Sequence, residues 1–243
     1  PLFPEQEEYT SKRDRKKQRK QGGKNTGLHL HSISPLTPAQ EDAFESYQSG
    51  QNVLLHGVAG TGKTFISLYL ALADVLKRRH YDSVTIFRSI VPTRDMGFLP
   101  GNQKEKSKAY ESPYYGLCTD LFGRGDAYDI LKSTKKIDFQ STSFLRGTTI
   151  NNSVIIVDEC QNMTFHELDS IITRLGENCR LIVCGDYQQS DLLHNSDRNG
   201  IKSFMKIIKG MQQFDAVEFS AVDIVRSPLV KSYIISKLNH GLA

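Results

Sequence analysis

Eight consecutive residues constrain this chain more than anything else in it: Gly57-Val58-Ala59-Gly60-Thr61-Gly62-Lys63-Thr64. They fit the phosphate-loop pattern G-x-x-x-x-G-K-[ST] at every fixed position. Such a loop needs a strand to launch it and a helix to receive it. Residues 52–56 form an apolar strand-like run. Residues 64–78 place Phe65, Leu68, Leu72, Val75 and Leu76 at helical spacing. The glycines let the backbone curl with its N–H groups inward, and the helix adds its positive dipole end. In this pattern the lysine, here Lys63, reaches the β- and γ-phosphates, and the hydroxyl of Thr64 ligates Mg²⁺. The expected ligands are therefore ATP and Mg²⁺, with Gly57, Val58, Ala59, Gly60, Thr61, Gly62, Lys63 and Thr64 as the nucleotide cradle.

The rest of the chain alternates strand-like and helix-like segments. Strands are expected at 83–87, 154–157, 180–184 and 216–219. Helices are expected at 37–47, where Thr37 caps and Pro38 opens the first turn, and at 164–175, 200–209 and 228–238. Strands alternating with helices make a parallel α/β sheet. Residues 98–146 stand apart. They are rich in Lys and Tyr, show no strong strand before Val154, and read as a helical insertion. Eight bases there (Lys104, Lys106, Lys108, Arg124, Lys132, Lys135, Lys136, Arg146) are interleaved with Tyr110, Tyr114, Tyr115, Tyr128 and Phe139. Basic plus aromatic is the composition of single-strand platforms. It is equally that of an amphipathic helical hairpin with aromatics in its core.

Two further strand ends carry chemistry. Val154-Ile155-Ile156-Val157-Asp158-Glu159 is an apolar strand ending in two acids, about 95 residues after the phosphate loop. That is the Walker B pattern. Asp158 is expected to hold Mg²⁺, and Glu159 to orient and deprotonate the attacking water. The pair favours hydrolysis over phosphotransfer, because a kinase needs an acceptor site rather than a base for water. At the end of the next strand come Gly185-Asp186 and then Gln189. Ligands of open α/β sheets bind at the carboxyl ends of strands, so Asp186 and Gln189 read as a γ-phosphate sensor.

Charge lies mostly at one end. The chain has 31 Lys and Arg against 27 Asp and Glu, net +4. Residues 1–24 hold eight of those bases and four of the acids, so the other residues sum to zero, 23 against 23. Residues 1–32 read as a basic, disordered tail, solvated or bound to a polyanion. Cys118, Cys160, Cys179 and Cys184 form no CxxC pair and read as reduced thiols. His29-x-His31 has no third ligand nearby, which argues against a metal site. No apolar run approaches the roughly 20 residues of a membrane helix, and no signal peptide is seen. The expectation is a cytoplasmic protein without membrane contact.

Asp158-Glu159-Cys160-Gln161 together with Gly185-Asp186-x-x-Gln189 resembles motifs II and III of superfamily 1 helicases. Thr37-Pro38-x-Gln40 resembles their adenine-contacting Q motif. A closer resemblance is to the PhoH family of phosphate-starvation ATPases. It is carried by Gly97-Phe98-Leu99-Pro100-Gly101, Phe144-Leu145-Arg146-Gly147-Thr148, Asp158-Glu159-Cys160-Gln161-Asn162-Met163-Thr164, Ile172-Thr173-Arg174-Leu175-Gly176 and Asp223-Ile224-Val225-Arg226-Ser227. It covers roughly residues 35–235. Ser89, Thr148, Leu193 and Asn199 stand where the family usually has Pro, Arg, Pro and Ser. These departures spare the ATP-site residues and suggest a divergent branch, of the kind phages encode.

The resemblance implies one RecA-like P-loop NTPase domain over 33–243, with Gln40 on the adenine. It implies ATP hydrolysis coupled to RNA or single-stranded DNA as a helicase-like motor. The alternative is an ATP-gated nucleic-acid-binding or scaffold protein that unwinds nothing. It further implies a ring-shaped homo-oligomer, a hexamer by the usual count for such rings, in which Arg226 or Arg174 of one copy reaches the γ-phosphate held by the next.

Overall fold

The computed structural model describes residues 27–89, 103–142, 149–186 and 195–241. Among these, six strands form one parallel sheet: β1 (Asn52–Gly57), β2 (Ser83–Arg88), β3 (Ile137–Ser141), β4 (Ser153–Asp158), β5 (Cys179–Gly185) and β6 (Phe214–Phe219). Their spatial order is β3-β2-β4-β5-β1-β6. Seven α-helices accompany them: α1 (Pro38–Gln48), α2 (Lys63–Ala73), α3 (Gln103–Phe122), α4 (Ala127–Ser133), α5 (Phe165–Ile172), α6 (Asn195–Lys209) and α7 (Pro228–Asn239). This is the expected α/β architecture with a parallel sheet.

The strands are near-continuous apolar runs because both faces of the sheet are covered. Alternate residues go to opposite sides. Val53, Leu55, Val84, Ile86, Val154 and Ile156 pack with α1, α2, α3 and α4 through Tyr47, Leu70, Tyr114 and Leu131. Leu54, Phe87, Ile155, Val157 and Val183 pack the other way, onto Leu168 and Ile171 of α5 and Ile201, Phe204 and Ile208 of α6. Strand β5 lies between β1 and β4, so the chain passes over two strand positions between β1 and β2. After β3 at the edge the chain turns back to β4, so the connections leaving the neighbouring strands β2 and β4 run in opposite directions, and such a switch point opens a crevice at the carboxyl ends.

Three expectations change. The segment 98–146 is not purely helical, since β3 pairs with β2 from Val84↔Ile137 to Arg88↔Ser141. As an edge strand β3 needs only a partly buried face, and Ile137-Asp138-Phe139-Gln140-Ser141 is too polar to announce itself. The packed chain also begins before Ile33: Leu30 is buried in the core and the His31 N–H donates to Leu121 O at 3.0 Å. Finally, α2 gives way at Ala73 to a π turn, Asp74–Arg78. No helix among the described residues is long and apolar enough to cross a membrane.

Candidate nucleotide-binding site

The loop after β1 is shaped by contacts with β6 and the segment beyond it. Gly57 has φ 112°, and a Cβ there would stand 2.2 Å from Phe219 O. That same carbonyl accepts the Val58 N–H at 2.9 Å. Only glycine fits where two backbones come so close. Farther along, Gly60 O accepts the Val225 N–H at 3.1 Å. Gly62 is the N-cap of α2 and offers no side-chain cap, so the positive end of the helix faces the crevice.

Lys63 is folded into this loop. Its Nζ donates to Gly57 O at 2.8 Å, to Val58 O at 2.7 Å and to Thr61 Oγ1 at 3.3 Å. Burial lowers its pKa, while Asp186, Glu159 and Asp158 oppose that shift. Gln40 stands behind the loop. Its Nε2 donates to Thr61 O at 2.9 Å, and its Oε1 accepts the Leu36 N–H at 2.9 Å. The resemblance gives Gln40 to adenine; here one end of its amide braces the loop and the other holds the segment that leads into α1. Asp223 joins the same scaffold, accepting the Ala39 and Ser220 N–H groups.

The Walker B acids meet the loop directly. Asp158 is 2% exposed. Its Oδ1 accepts from Thr64 Oγ1 at 2.8 Å and its Oδ2 from the Tyr114 hydroxyl at 2.7 Å. Arg88 Nη1 stands 3.8 Å from Oδ2. Glu159 adopts φ 51°, a left-handed conformation uncommon for a residue with a side chain. Both residues line the same crevice as Lys63, Thr64, Asp186 and Arg226. Burial and the neighbouring Asp158 push the Glu159 carboxyl up; its hydrogen bond from Gln161, with Arg88 and Lys63, pulls it down. Gln161 donates from Nε2 to Glu159 Oε2 and accepts the Asp186 N–H at 3.0 Å on Oε1. One amide thus ties the end of β4 to the end of β5.

A hydroxyl and a carboxylate at hydrogen-bond distance are hard oxygen donors of the kind Mg²⁺ takes. No cluster of three His, Cys, Asp or Glu suited to a metal exists among the described residues. A cation here would complete its shell with phosphate and water oxygens, the habit of Mg²⁺. Thr64 and Asp158 therefore fit the expected metal.

The two expected arginines lie at opposite ends of the sheet, and Gln189 lies outside the described residues. Arg226 lines the crevice of its own chain, with its Cγ 3.0 Å from where a Gly60 Cβ would be. The Val225 N–H bond to Gly60 O holds the adjoining backbone at the loop. Arg174 sits past the end of α5, where its carbonyl accepts the Ile150 N–H ahead of β4. That is the amino end of the sheet, away from this crevice. Gln189 falls outside the described residues, as do the basic tail through residue 26 and Arg146.

Sequence reasoning missed the roles of Gln161, Arg88 and Tyr114. Gln161 was visible as a motif letter, Arg88 as the residue ending a strand, and Tyr114 only as one aromatic among many. Tyr114 and Tyr128 are buried in the core. Tyr115 packs its ring against Tyr128 at 4.4 Å. For Tyr114 and Tyr128 the hairpin-core reading stands; Tyr115 is exposed.

A family model described as PhoH-like protein matches residues 32–237. The chain belongs to the PhoH family. The PhoH-like protein of Bacillus subtilis (strain 168) is 31% identical over 204 residues, 84% of this chain and 63% of the relative. Protein PhoH of Escherichia coli (strain K12) is 33% identical over 193 residues, 79% of this chain and 54% of its own length. This PhoH-family chain thus spans under two thirds of the length of these relatives. Among solved structures, a Sulfolobus solfataricus SWI2/SNF2 ATPase core in complex with dsDNA aligns with a TM-score of 0.42 and 18% identity, over 79% of this chain and 46% of that one.

Proposed function

We propose that this chain is a Mg²⁺-dependent ATPase that couples hydrolysis to binding or remodelling RNA or single-stranded DNA. The observation that carries the proposal is the joint between its two motifs: Asp158 Oδ1 accepts the Thr64 hydroxyl at 2.8 Å, with Glu159 lining the same crevice. Lys63 and the N–H groups at the start of α2 bind the phosphates. Thr64 and Asp158 hold the metal, which neutralises charge on the β- and γ-phosphate oxygens when bound. Glu159 orients a water and takes its proton. Asp186 and Gln189 sense the γ-phosphate. Arg226 adds positive charge from within the same chain.

In its assembled form we place the protein in a ring-shaped homo-oligomer, with six copies as the working number. Helix α7 supports a contact between copies. It buries none of its residues, and it exposes Leu229, Val230 and Tyr233 beside Val222.

The test is steady-state ATPase activity with and without single-stranded RNA and DNA, beside strand displacement and sedimentation. Lys63→Ala abolishes nucleotide binding. Glu159→Gln keeps binding and lowers turnover by roughly 10²–10⁴-fold. Parent-level turnover in Glu159→Gln sinks the assignment. ATPase activity without strand displacement selects the ATP-gated binding protein over the motor.

A further inference from the structure

The second oxygen of Asp158 is held by a residue outside both motifs. Tyr114 lies within α3, on the insertion, 44 residues before Asp158. Its ring is 1% exposed and packs against Phe139 of β3, centroids 5.7 Å apart. Its hydroxyl reaches Asp158 Oδ2 at 2.7 Å, while Thr64 holds Oδ1 at 2.8 Å. The two bonds fix the rotation of the carboxylate. Three residues on, and so on nearly the same face of α3, Leu117 lines the nucleotide crevice. Helix α3 therefore touches the site twice.

Arg88 gives this bond its meaning. Its guanidinium is 3.8 Å from the oxygen that Tyr114 occupies, too far for a hydrogen bond. With the hydroxyl gone, Oδ2 would be free to turn to the guanidinium. A closed ion pair would neutralise the charge a cation needs and draw Oδ1 off Thr64. The neutral tyrosine donor orients the carboxylate without cancelling its charge.

We propose that Tyr114 is a positioning residue for Mg²⁺: it holds Asp158 turned toward Thr64 and keeps it from closing on Arg88. The inference rests on reading Asp158 as the metal-binding carboxylate. It also gives the insertion a hand on the nucleotide site, since a ligand that shifts α3 acts on Asp158 through this one bond.

The experiment titrates Mg²⁺ into wild type and Tyr114→Phe while following binding of a fluorescent, non-hydrolysable ATP analogue. Phe keeps the ring and its packing. The expected result is a Mg²⁺ midpoint raised by roughly 10–100-fold, the usual cost of losing a partner to a metal ligand, with binding in EDTA unchanged. A midpoint within about twofold of wild type overturns the inference and leaves the ATPase reading intact. A wild-type protein whose nucleotide binding ignores Mg²⁺ overturns both. A second measurement needs no substitution. The chain has no Trp, so its ultraviolet difference spectrum reports tyrosine. Mg²⁺ added to the nucleotide-loaded wild type produces a tyrosine signal; its absence also overturns the inference.

Discussion

Two buried aspartates at opposite ends of the sheet have nearly the same neighbours and opposite uses. Asp74, in the π turn after α2, accepts the Tyr47 hydroxyl at 2.7 Å. It pairs with Arg78 at 2.8 Å and lies 3.7 Å from Arg180. The Arg180 guanidinium stacks on the Tyr47 ring at 3.6 Å. Asp158 likewise has a tyrosine hydroxyl at 2.7 Å and an arginine, at 3.8 Å. The difference is charge. At Asp74 two guanidinium groups answer one carboxylate, one of them in contact. At Asp158 the guanidinium stands off at 3.8 Å, and Lys63, folded into the loop, faces Asp158, Glu159 and Asp186 together. The first group is closed and works as a brace between α1, α2 and β5. In the second no cation is in close contact with the carboxylate, which leaves its charge available to a metal ion, while Lys63 and Arg226 in the same crevice suit a polyphosphate. Burial is common to both, so whether a cation already touches the carboxylate separates site from scaffold.

The same conservative substitution at each aspartate should break the comparison most sharply. Asp158→Asn should lower ATP turnover by several kcal/mol of activation free energy, on the order of 10³-fold. Its urea unfolding free energy should stay within about 1 kcal/mol of wild type, because Arg88 was never in contact. Asp74→Asn should do the reverse. It weakens the Tyr47 hydrogen bond and the pair with Arg180, while Arg78, 40% exposed, can turn to water, and should cost about 1–3 kcal/mol of stability; the folded fraction hydrolyses ATP normally. Steady-state assays and urea melts on the same preparations decide it. Equal destabilisation by the two variants would erase the distinction.

His56 on β1 sharpens the contrast with a third buried ionisable group. Burial, with Lys209 and Lys63 adding to it, lowers its pKa to about 4. The native state then stays unprotonated while the unfolded chain takes up a proton near pH 6.5. Stability should therefore fall as pH drops from about 6.5 toward about 4, losing on the order of 2 kcal/mol by pH 5. Urea midpoints at pH 7 and pH 5 measure this, and His56→Gln should show a flatter dependence. Equal slopes for the two proteins would acquit His56.

The smallest expected effect concerns Glu159. Its carboxyl is raised by burial and by Asp158, and the Gln161 hydrogen bond restrains it. Activity needs the deprotonated form, so the acid limb of kcat should lie above the ordinary glutamate range. Gln161→Leu removes a bond that favours the charged form and should move that limb to still higher pH. A limb that stays put or moves down would show that Gln161 only ties the strand ends together.

Much of the fold was legible because it rests on local rules. The octapeptide at 57–64, the apolar run before Asp158 and the helix periods each announce themselves within a few residues. The five strands expected from those runs are all present, within a residue or two. What escaped was of two kinds. β3 is polar because its edge position demands little burial. The alliances of Tyr114 with Asp158, and of Gln161 with Glu159 and Asp186, left no trace in composition. Arg226 was read only from its place in a motif; that it lies beside Gly60 of its own chain, next to the Val225 N–H bond to Gly60 O, no spacing rule reveals.

By itself the sequence determined which groups the crevice would contain, since a Gly-rich turn before a helix and two acids after an apolar strand are written locally in backbone and side-chain chemistry. The tertiary structure alone decided which of those groups touch. Thr64 and Asp158 are 94 residues apart in the chain and 2.8 Å apart in the fold. They meet because α2, leaving β1, packs across β5 onto β4, an arrangement that follows from how the whole chain winds and that no local pattern encodes. The turn of the Asp158 carboxylate was settled the same way, by packing: α3 lies where its buried ring fits against β3, and that fit delivers the Tyr114 hydroxyl to an oxygen 44 residues away.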